Sequence, residues 1–326
     1  MLVLSRRDVL ELLTLPECID AVERAFRAHG ERRTLGPAVL SVSASGGSFH
    51  VKAAGLRAER SYFAAKTNAN FPDNPRRFER PTIQGTVVLA DADHGEPLAV
   101  IDSGSVTALR TGAATAVAAK FLARREARAA TVVGCGVQGE IQLAALAAVL
   151  PLERAWVVDA DHTRAEALAA TAATRLGIRV EATKELRVAL RHSDVCVTCT
   201  PSRHAFVMAA DVAPGTFIAA VGADNRGKQE LDPTLLASAT LVVDVLEQCA
   251  EIGELQHALA AGLMTREDVH AELADVVTGR RPGRTRSEEI TIFDSSGTAL
   301  QDVAAAIAVY EKACATGRGT KVSLDD

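Results

Sequence analysis

Positions 129 to 159 read AATVVGCGVQGEIQLAALAAVLPLERAWVVD: an apolar strand, three glycines spaced G-x-G-x-x-G, an apolar helix, and a second strand closing on Asp159. Few folds accept a strand that turns into a helix through such glycines. Gly134 permits the tight turn, Gly136 lets the backbone approach a pyrophosphate, and Gly139 permits close packing of helix on strand, while the helix N-terminus offers free N–H donors. Asp159 is placed to accept hydrogen bonds from a ribose 2′-hydroxyl. Ala160 and Asp161 follow it in place of an arginine, so a 2′-phosphate would meet two negative charges, and NAD is expected over NADP. The alternative is that the glycines only punctuate a turn in an α/β domain that binds something else.

The surrounding chain supports the strand–helix alternation. After a helix in TALRTGAATAVAAKFLARREA come ATVVGCG, a helix to Leu150, RAWVVDAD, a helix to Leu176, IRVEAT, a further helix and DVCVTCTP, then strands in TFIAAVGAD, TLVVDVL and EITIFDSSG. Near-continuous Val/Ile/Ala strands separated by helices predict a parallel sheet covered on both faces. From about 38 to 103 the period is two instead, in VLSVSAS, SFHVKAAG, SYFAAKT, TIQGTVVLA and PLAVIDS, which predicts an antiparallel sheet. Positions 5 to 30 read as helix, with Ile19, Val22 and Phe26 on one face. The last helix, TALQDVAAAIAVYEKACATG, carries Leu300, Val303, Ile307 and Tyr310 on one side, and either covers the parallel sheet or returns to the first domain. The tail RGTKVSLDD reads as mobile.

The 326 residues, 48% of them apolar, suffice for two domains with their own cores. Thirty-six basic against 41 acidic side chains, without a Lys/Arg block, argue against a nucleic-acid partner. Charged residues break the Ala-rich stretches that could otherwise span a membrane, and the start MLVLSRRDVLELL has charges where a signal peptide needs its apolar run. A cytoplasmic chain is expected. The six cysteines lack metal-ligand spacing, so no metal is expected. Cys196 and Cys199 fall within one strand, where their side chains would face opposite ways as core residues.

Ligands bind at strand ends in open parallel sheets. Asp224, closing FIAAVGAD, is the foremost candidate, placed to sit beside a nicotinamide; Thr200, Ser202, Ser295 and Ser296 end other strands, or cap the following helices. Lys66 lies in the apolar YFAAKTNANF and Arg110 in the small-residue run TALRTGAATA. Buried cations need partners. A substrate carboxylate is one, and an internal ion pair with Asp102 or Glu96 is the other.

Through AAKTNANFPDNP, PTIQGTVVLADADHGEPLAVID, TALRTGAATAVAAKFLAR, VVGCGVQG, DVCVTCTPS, VGADNRGKQELD and DSSGTALQDVA the chain resembles the ornithine cyclodeaminase/mu-crystallin family over nearly its whole length. The resemblance implies an α/β fold: a doubly wound, NAD-binding Rossmann domain (119–305) inserted in an α+β substrate-binding and dimerisation domain built from both chain ends (1–118 and 306–326). It implies a homodimer. By position, Lys66 and Arg110 match the cations that hold a substrate carboxylate, Asp224 the proton donor and acceptor, and Ser296 a substrate contact. Thr82, Arg110, Thr111, Val137, Gln138, Asp159, Thr200, Val221, Gly222, Ala223, Lys228 and Ser295 match cofactor positions. Family members that cyclise ornithine carry a further arginine in a Pro-Arg motif; GPAVLSVSASGG has none, and His50 or Lys52 could replace that cation. The expected activity is hydride exchange at the Cα of an amino acid or imine by a dehydrogenase or imine reductase. A redox-neutral diamino-acid cyclodeaminase and a non-catalytic ligand binder are the alternatives. The residues that choose among substrates are expected in the loop from Ala54 to Tyr62 and at Ser296.

Overall fold

The computed structural model describes residues 1–57 and 59–324 and divides into two compact units, Met1–Arg110 with the chain from Thr298 onward, and Thr111–Gly297. The first carries strands β1 (Leu2–Leu4), β2 (Thr34–Ala44), β3 (Gly47–Leu56), β4 (Tyr62–Asn70), β5 (Ile83–Asp91) and β6 (Pro97–Asp102). In the second run β7 (Ala129–Val133), β8 (Arg154–Val158), β9 (Arg179–Ala182), β10 (Val195–Thr198), β11 (Arg203–Val207), β12 (Phe217–Ala220), β13 (Gln229–Leu231), β14 (Thr240–Val243), β15 (Ala271–Glu272) and β16 (Thr291–Asp294). A last strand, β17 (Thr320–Lys321), belongs to the first unit.

In the first unit one seven-stranded sheet has the order β17-β1-β6-β5-β4-β3-β2. Strands β2 to β6 pair antiparallel, as their period of two predicts, while β1 joins β6 in parallel. In β4 the alternation puts Tyr62, Ala64, Lys66 and Asn68 on the buried face and turns Phe63 and Thr67 outward. The last helix, Ala299–Thr316, packs on β3, β4 and the helix Leu15–Gly30, so it returns to the first unit. Gly317 closes it with φ near 66°, a left-handed cap suited to glycine.

Two expectations change here. The helix over 5 to 30 is two helices, Arg6–Leu12 and Leu15–Gly30, because Ser5 with Asp8 and Thr14 with Glu17 each form a capping box that starts a separate helix. The tail is not free either: Thr320 and Lys321 pair with Val3 and Leu2, and the Met1 amine donates to the Val322 carbonyl. Asp325 and Asp326, the end of that tail, lie outside the described residues.

The second unit is an eight-stranded, all-parallel sheet of order β15-β14-β16-β12-β10-β7-β8-β9. Counting from β7, five of these strands follow the doubly wound order as 3-2-1-4-5, with β16 in the sixth place, and the direction reverses between β7 and β10. A second, two-stranded sheet joins β11 and β13. Ile218, Leu231, Leu235, Leu241 and Ile292 are fully or almost fully buried in its apolar core. Among the described residues, no helix is long and apolar enough to cross a membrane, and no group of His, Cys, Asp or Glu is placed to hold a metal ion.

Candidate functional site

The glycine loop leaves β7 at the point where the strand order reverses. Gly134 has φ near 101°, and a Cβ there would lie 2.8 Å from the Cys199 carbonyl oxygen. A Cβ on Gly139 would meet the Gly134 oxygen at 2.0 Å. Both positions therefore require glycine for the chain's own packing. Gly136 does not: a Cβ there would meet nothing within 4 Å, although Gly136 is the N-cap of the helix Val137–Val149. No side chain caps that helix start, and Val137 stands 67% exposed beside it. Open space beside uncapped N–H donors suits a pyrophosphate.

Asp159 follows β8 directly and is half-buried, with Oδ2 accepting from Cys135 N at 2.7 Å and Oδ1 from Asp161 N at 2.9 Å. The carboxylate is fixed against the glycine loop while keeping acceptor capacity for a diol. These residues fit a dinucleotide. Gln138 is half-buried at the same helix start, its Oε1 accepting from Gln142 Nε2 at 3.3 Å.

Asp224 is four residues past the end of β12, its side chain 53% exposed and paired with Lys228 Nζ at 2.6 Å. Val221, Gly222 and Ala223 before it are buried. Thr200 donates from N and Oγ1 to the Glu230 carboxylate, and the Ser202 hydroxyl donates to the His204 carbonyl. Ser295 is buried with no hydrogen-bond partner for Oγ among the described residues. Ser296 is buried as well, its hydroxyl donating to Asp244 and accepting from Gln248. Cys199 lies one residue beyond β10, not within it; its thiol donates to the carbonyls of Val133 and Gly134 and so packs against the glycine loop. Cys196 is core, as expected.

In the first unit Lys66 and Arg110 do share an internal partner, but it is neither Asp102 nor Glu96. Asp102 instead accepts from Ser105 N at the start of the helix Ser103–Leu122. The partner is Asp302, in the first turn of the helix Ala299–Thr316 and 1% exposed. Lys66 Nζ lies 2.7 Å from both Asp302 oxygens, and Arg110 Nε lies 2.9 Å from Oδ1. Arg110 Nη1 also donates to Gln301 Oε1 at 2.7 Å. Burial pushes the Lys66 ammonium down to about 7, against the pull of Asp302 and with the added push of Arg110 and Lys52. Burial raises the Asp302 carboxyl, but the charges of Lys66 and Arg110 outweigh it and hold it below the usual range.

Of the two candidates for an added cation, Lys52 is the direct cross-strand neighbour of Lys66. His50 faces Asn68, its ring nitrogens 2.9 and 2.8 Å from the hydroxyls of Ser41 and Ser48. Thr111 is buried in the Arg110 helix, and the Thr82 carbonyl accepts from Phe71 N just before β5. Arg57, Glu59 and Arg60, in the loop expected to read the substrate side chain, line a cavity of about 530 Å³ with Arg24, Tyr62 and Ile307. Ala58 in that loop lies outside the described residues. The residue missed from sequence was Asp302; its only signal was one acidic side chain inside the apolar run ALQDVAAAIAVY.

A doubly wound sheet with this glycine loop, and a buried lysine–arginine pair on the flanking chain, define an α/β enzyme of the oxidoreductase class. The chain belongs to the ornithine cyclodeaminase/mu-crystallin family, which it matches over residues 1–317. It is 38% identical to an alanine dehydrogenase of Archaeoglobus fulgidus over 324 residues, 99% of this chain and 98% of that protein. Its structure is similar to that of an archaeal alanine dehydrogenase dimer with bound NAD (TM-score 0.95, 38% identity, 99% of both chains). It is also similar to Δ1-pyrroline-2-carboxylate reductase of Thermococcus litoralis in complex with NADH and L-proline (TM-score 0.94, 34% identity, 99% of this chain and 100% of that one).

Proposed function

We propose that the chain is an NAD-dependent oxidoreductase acting on the Cα–N bond of an L-amino acid or of the corresponding imine. The observation that carries this reading is the buried trio in the first unit, where two cations, Lys66 and Arg110, share the single carboxylate of Asp302. A second carboxylate, from the substrate, would balance the remaining positive charge, and charge-assisted hydrogen bonds to it would fix the orientation of Cα. Lys52, opposite Lys66, adds to the same field.

Asp224 is the proton acceptor. The substrate ammonium must lose a proton first, because only the free amine can push its electron pair into the forming C=N bond. NAD, when bound, supplies the hydride acceptor. Water then adds to the imine, so that amino acid, NAD⁺ and water become 2-oxo acid, ammonium, NADH and a proton; in reverse, the same residues serve an imine reductase. Gly134, Gly136, Gly139, the helix start at Val137 and Gln138, and Asp159 would hold the dinucleotide. Asp159 favours NAD over NADP by repelling a 2′-phosphate.

A homodimer through the first unit completes the reading. Leu40, Val42, Phe49, Phe63 and Val88 are exposed on the outer face of β2 to β5, with Val42 directly opposite Phe49. Such an apolar face suits a second copy of the chain, and a similar structure is a dimer.

The test is to incubate the protein with NAD and a panel of L-amino acids, following ammonia and NADH together. Ammonia matched by NADH is the expected result for a dehydrogenase. Ammonia without accumulating NADH would make the chain a cyclodeaminase, and silence on both, followed by NADH oxidation with cyclic or open-chain imines, would make it a reductase.

A further inference from the structure

Glu230, in β13, is fully buried, and its carboxylate is surrounded by donors from two strand ends. Oε1 accepts from Thr200 N at 2.6 Å and Thr200 Oγ1 at 2.7 Å, beyond β10; Oε2 accepts from Gly222 N at 2.8 Å, beyond β12. A Cβ on Gly222 would lie 2.4 Å from the carboxyl carbon, so glycine is what lets the acid in. Glu230 is itself held from behind, because Glu254 accepts from the backbone N–H groups of Glu230 and Leu231 at 2.7 and 3.2 Å. Burial pushes the Glu230 carboxyl up and the donors around it pull it back.

This arrangement fixes what the two strand ends can offer. The Thr200 hydroxyl spends its proton on Glu230 and accepts from Ser202 N at 3.2 Å, so its remaining capacity is as an acceptor. The Gly222 N–H is likewise consumed. Strands β10 and β12 form the second half of the doubly wound sheet, whereas the glycine loop and Asp159 follow β7 and β8 in the first half. In such sheets each half takes one end of a dinucleotide.

We propose that Glu230 is a positioning residue for the nicotinamide end of the cofactor: it clamps the loops after β10 and β12 together and turns Thr200 into an acceptor for the N–H donors of a carboxamide. The inference rests on the NAD reading above. It assigns no catalytic step to Glu230, which acts only through Thr200 and Gly222.

The test compares NADH with ADP-ribose, which lacks the nicotinamide. In Glu230→Gln an amide NH₂ replaces one acceptor oxygen and faces donors of Thr200 or Gly222. One unsatisfied buried donor is worth roughly a ten- to hundred-fold change in dissociation constant. The expected result is a loss of that size for NADH with ADP-ribose affinity unchanged, measured by fluorescence titration on protein whose circular dichroism matches wild type. Equal affinities for NADH in both proteins would overturn the inference, and so would equal losses for NADH and ADP-ribose, which mark general damage. Should Glu230→Gln not fold, Thr200→Val is expected to show the same selective loss, and unchanged NADH affinity there would overturn the inference too. If wild-type protein binds ADP-ribose and NADH not at all, the NAD reading fails first and the inference with it.

Discussion

Lys66 Nζ sits 2.7 Å from the Asp302 carboxylate, although 236 residues separate the two in the chain. β4 supplies the lysine and the last helix the aspartate, so the pair exists only because that helix returns to the first unit. With Arg110 on the same carboxylate, Asp302 neutralises part of a buried positive charge and leaves the rest for a ligand. A buried cation held in this way titrates near neutrality, which makes the site measurable.

Binding of a simple carboxylate competitor, such as a 2-oxo acid, is expected to be tightest below pH 7 and to weaken as pH rises through about 7, because the anion favours protonated Lys66. Lys66→Met is expected to abolish this pH dependence and to weaken binding by about two orders of magnitude. Lys52→Met removes a cation that pushes Lys66 down, so the midpoint is expected to move to higher pH. The inhibition constant measured across neutral pH checks all three, and a flat wild-type profile would contradict the assignment.

Gly136 and Gly139 are expected to separate binding from folding. Gly136→Ala places its methyl in open space and should melt like wild type while losing NADH affinity by about ten-fold or more, because the methyl occupies the approach to the helix start. Gly139→Ala drives its methyl to 2.0 Å from a backbone oxygen and should cost about 3 kcal/mol of stability. Thermal melts beside NADH titrations decide it; wild-type nucleotide affinity in Gly136→Ala would remove the loop from the site.

Asp224→Asn is expected to keep NADH affinity within a few-fold while turnover falls by about two to four orders of magnitude, the range for a lost general base. The exposed Asp224 carboxylate pairs with Lys228, itself near the surface, so the fold should tolerate the change. Single-turnover hydride transfer monitored at the NADH absorbance is the measurement. Unchanged turnover would end the proposed role.

The second unit carries a cation-poor group of buried acids whose titration is expected to show in its stability. Burial pushes the Asp294 carboxyl up to about 7, helped by the Asp244 charge and opposed by the Leu255 and Glu254 N–H donors. Its proton is bound more tightly folded than unfolded, so its contribution to stability is present at acid pH and is lost as pH rises from the ordinary carboxylate range through about 7. Asp294→Asn, which can keep an acceptor for Leu255 N, should raise the melting temperature relative to wild type at pH 8 to 9 more than at pH 5. A difference independent of pH would show that Asp294 does not titrate in this range.

Sequence alone determined the secondary elements wherever local periodicity was strong, and the chemistry of positions whose reason is local. The strand–glycine–helix unit is local: Gly139 is required by the Gly134 oxygen within one turn of chain and Gly134 by its positive φ, and Asp159 follows at a fixed distance. The period of two along β4 was enough to put Lys66 on the buried face. Tertiary structure decided which charges meet. Beyond one acid in an apolar run, nothing local marks Asp302, and Glu230 carries no local signal, because the burial and partners that give them meaning come from strands and helices elsewhere in the chain. It also turned Thr320–Lys321 into an edge strand. A one-dimensional pattern fixes which face a side chain takes, but only packing in three dimensions fixes what lies across from it.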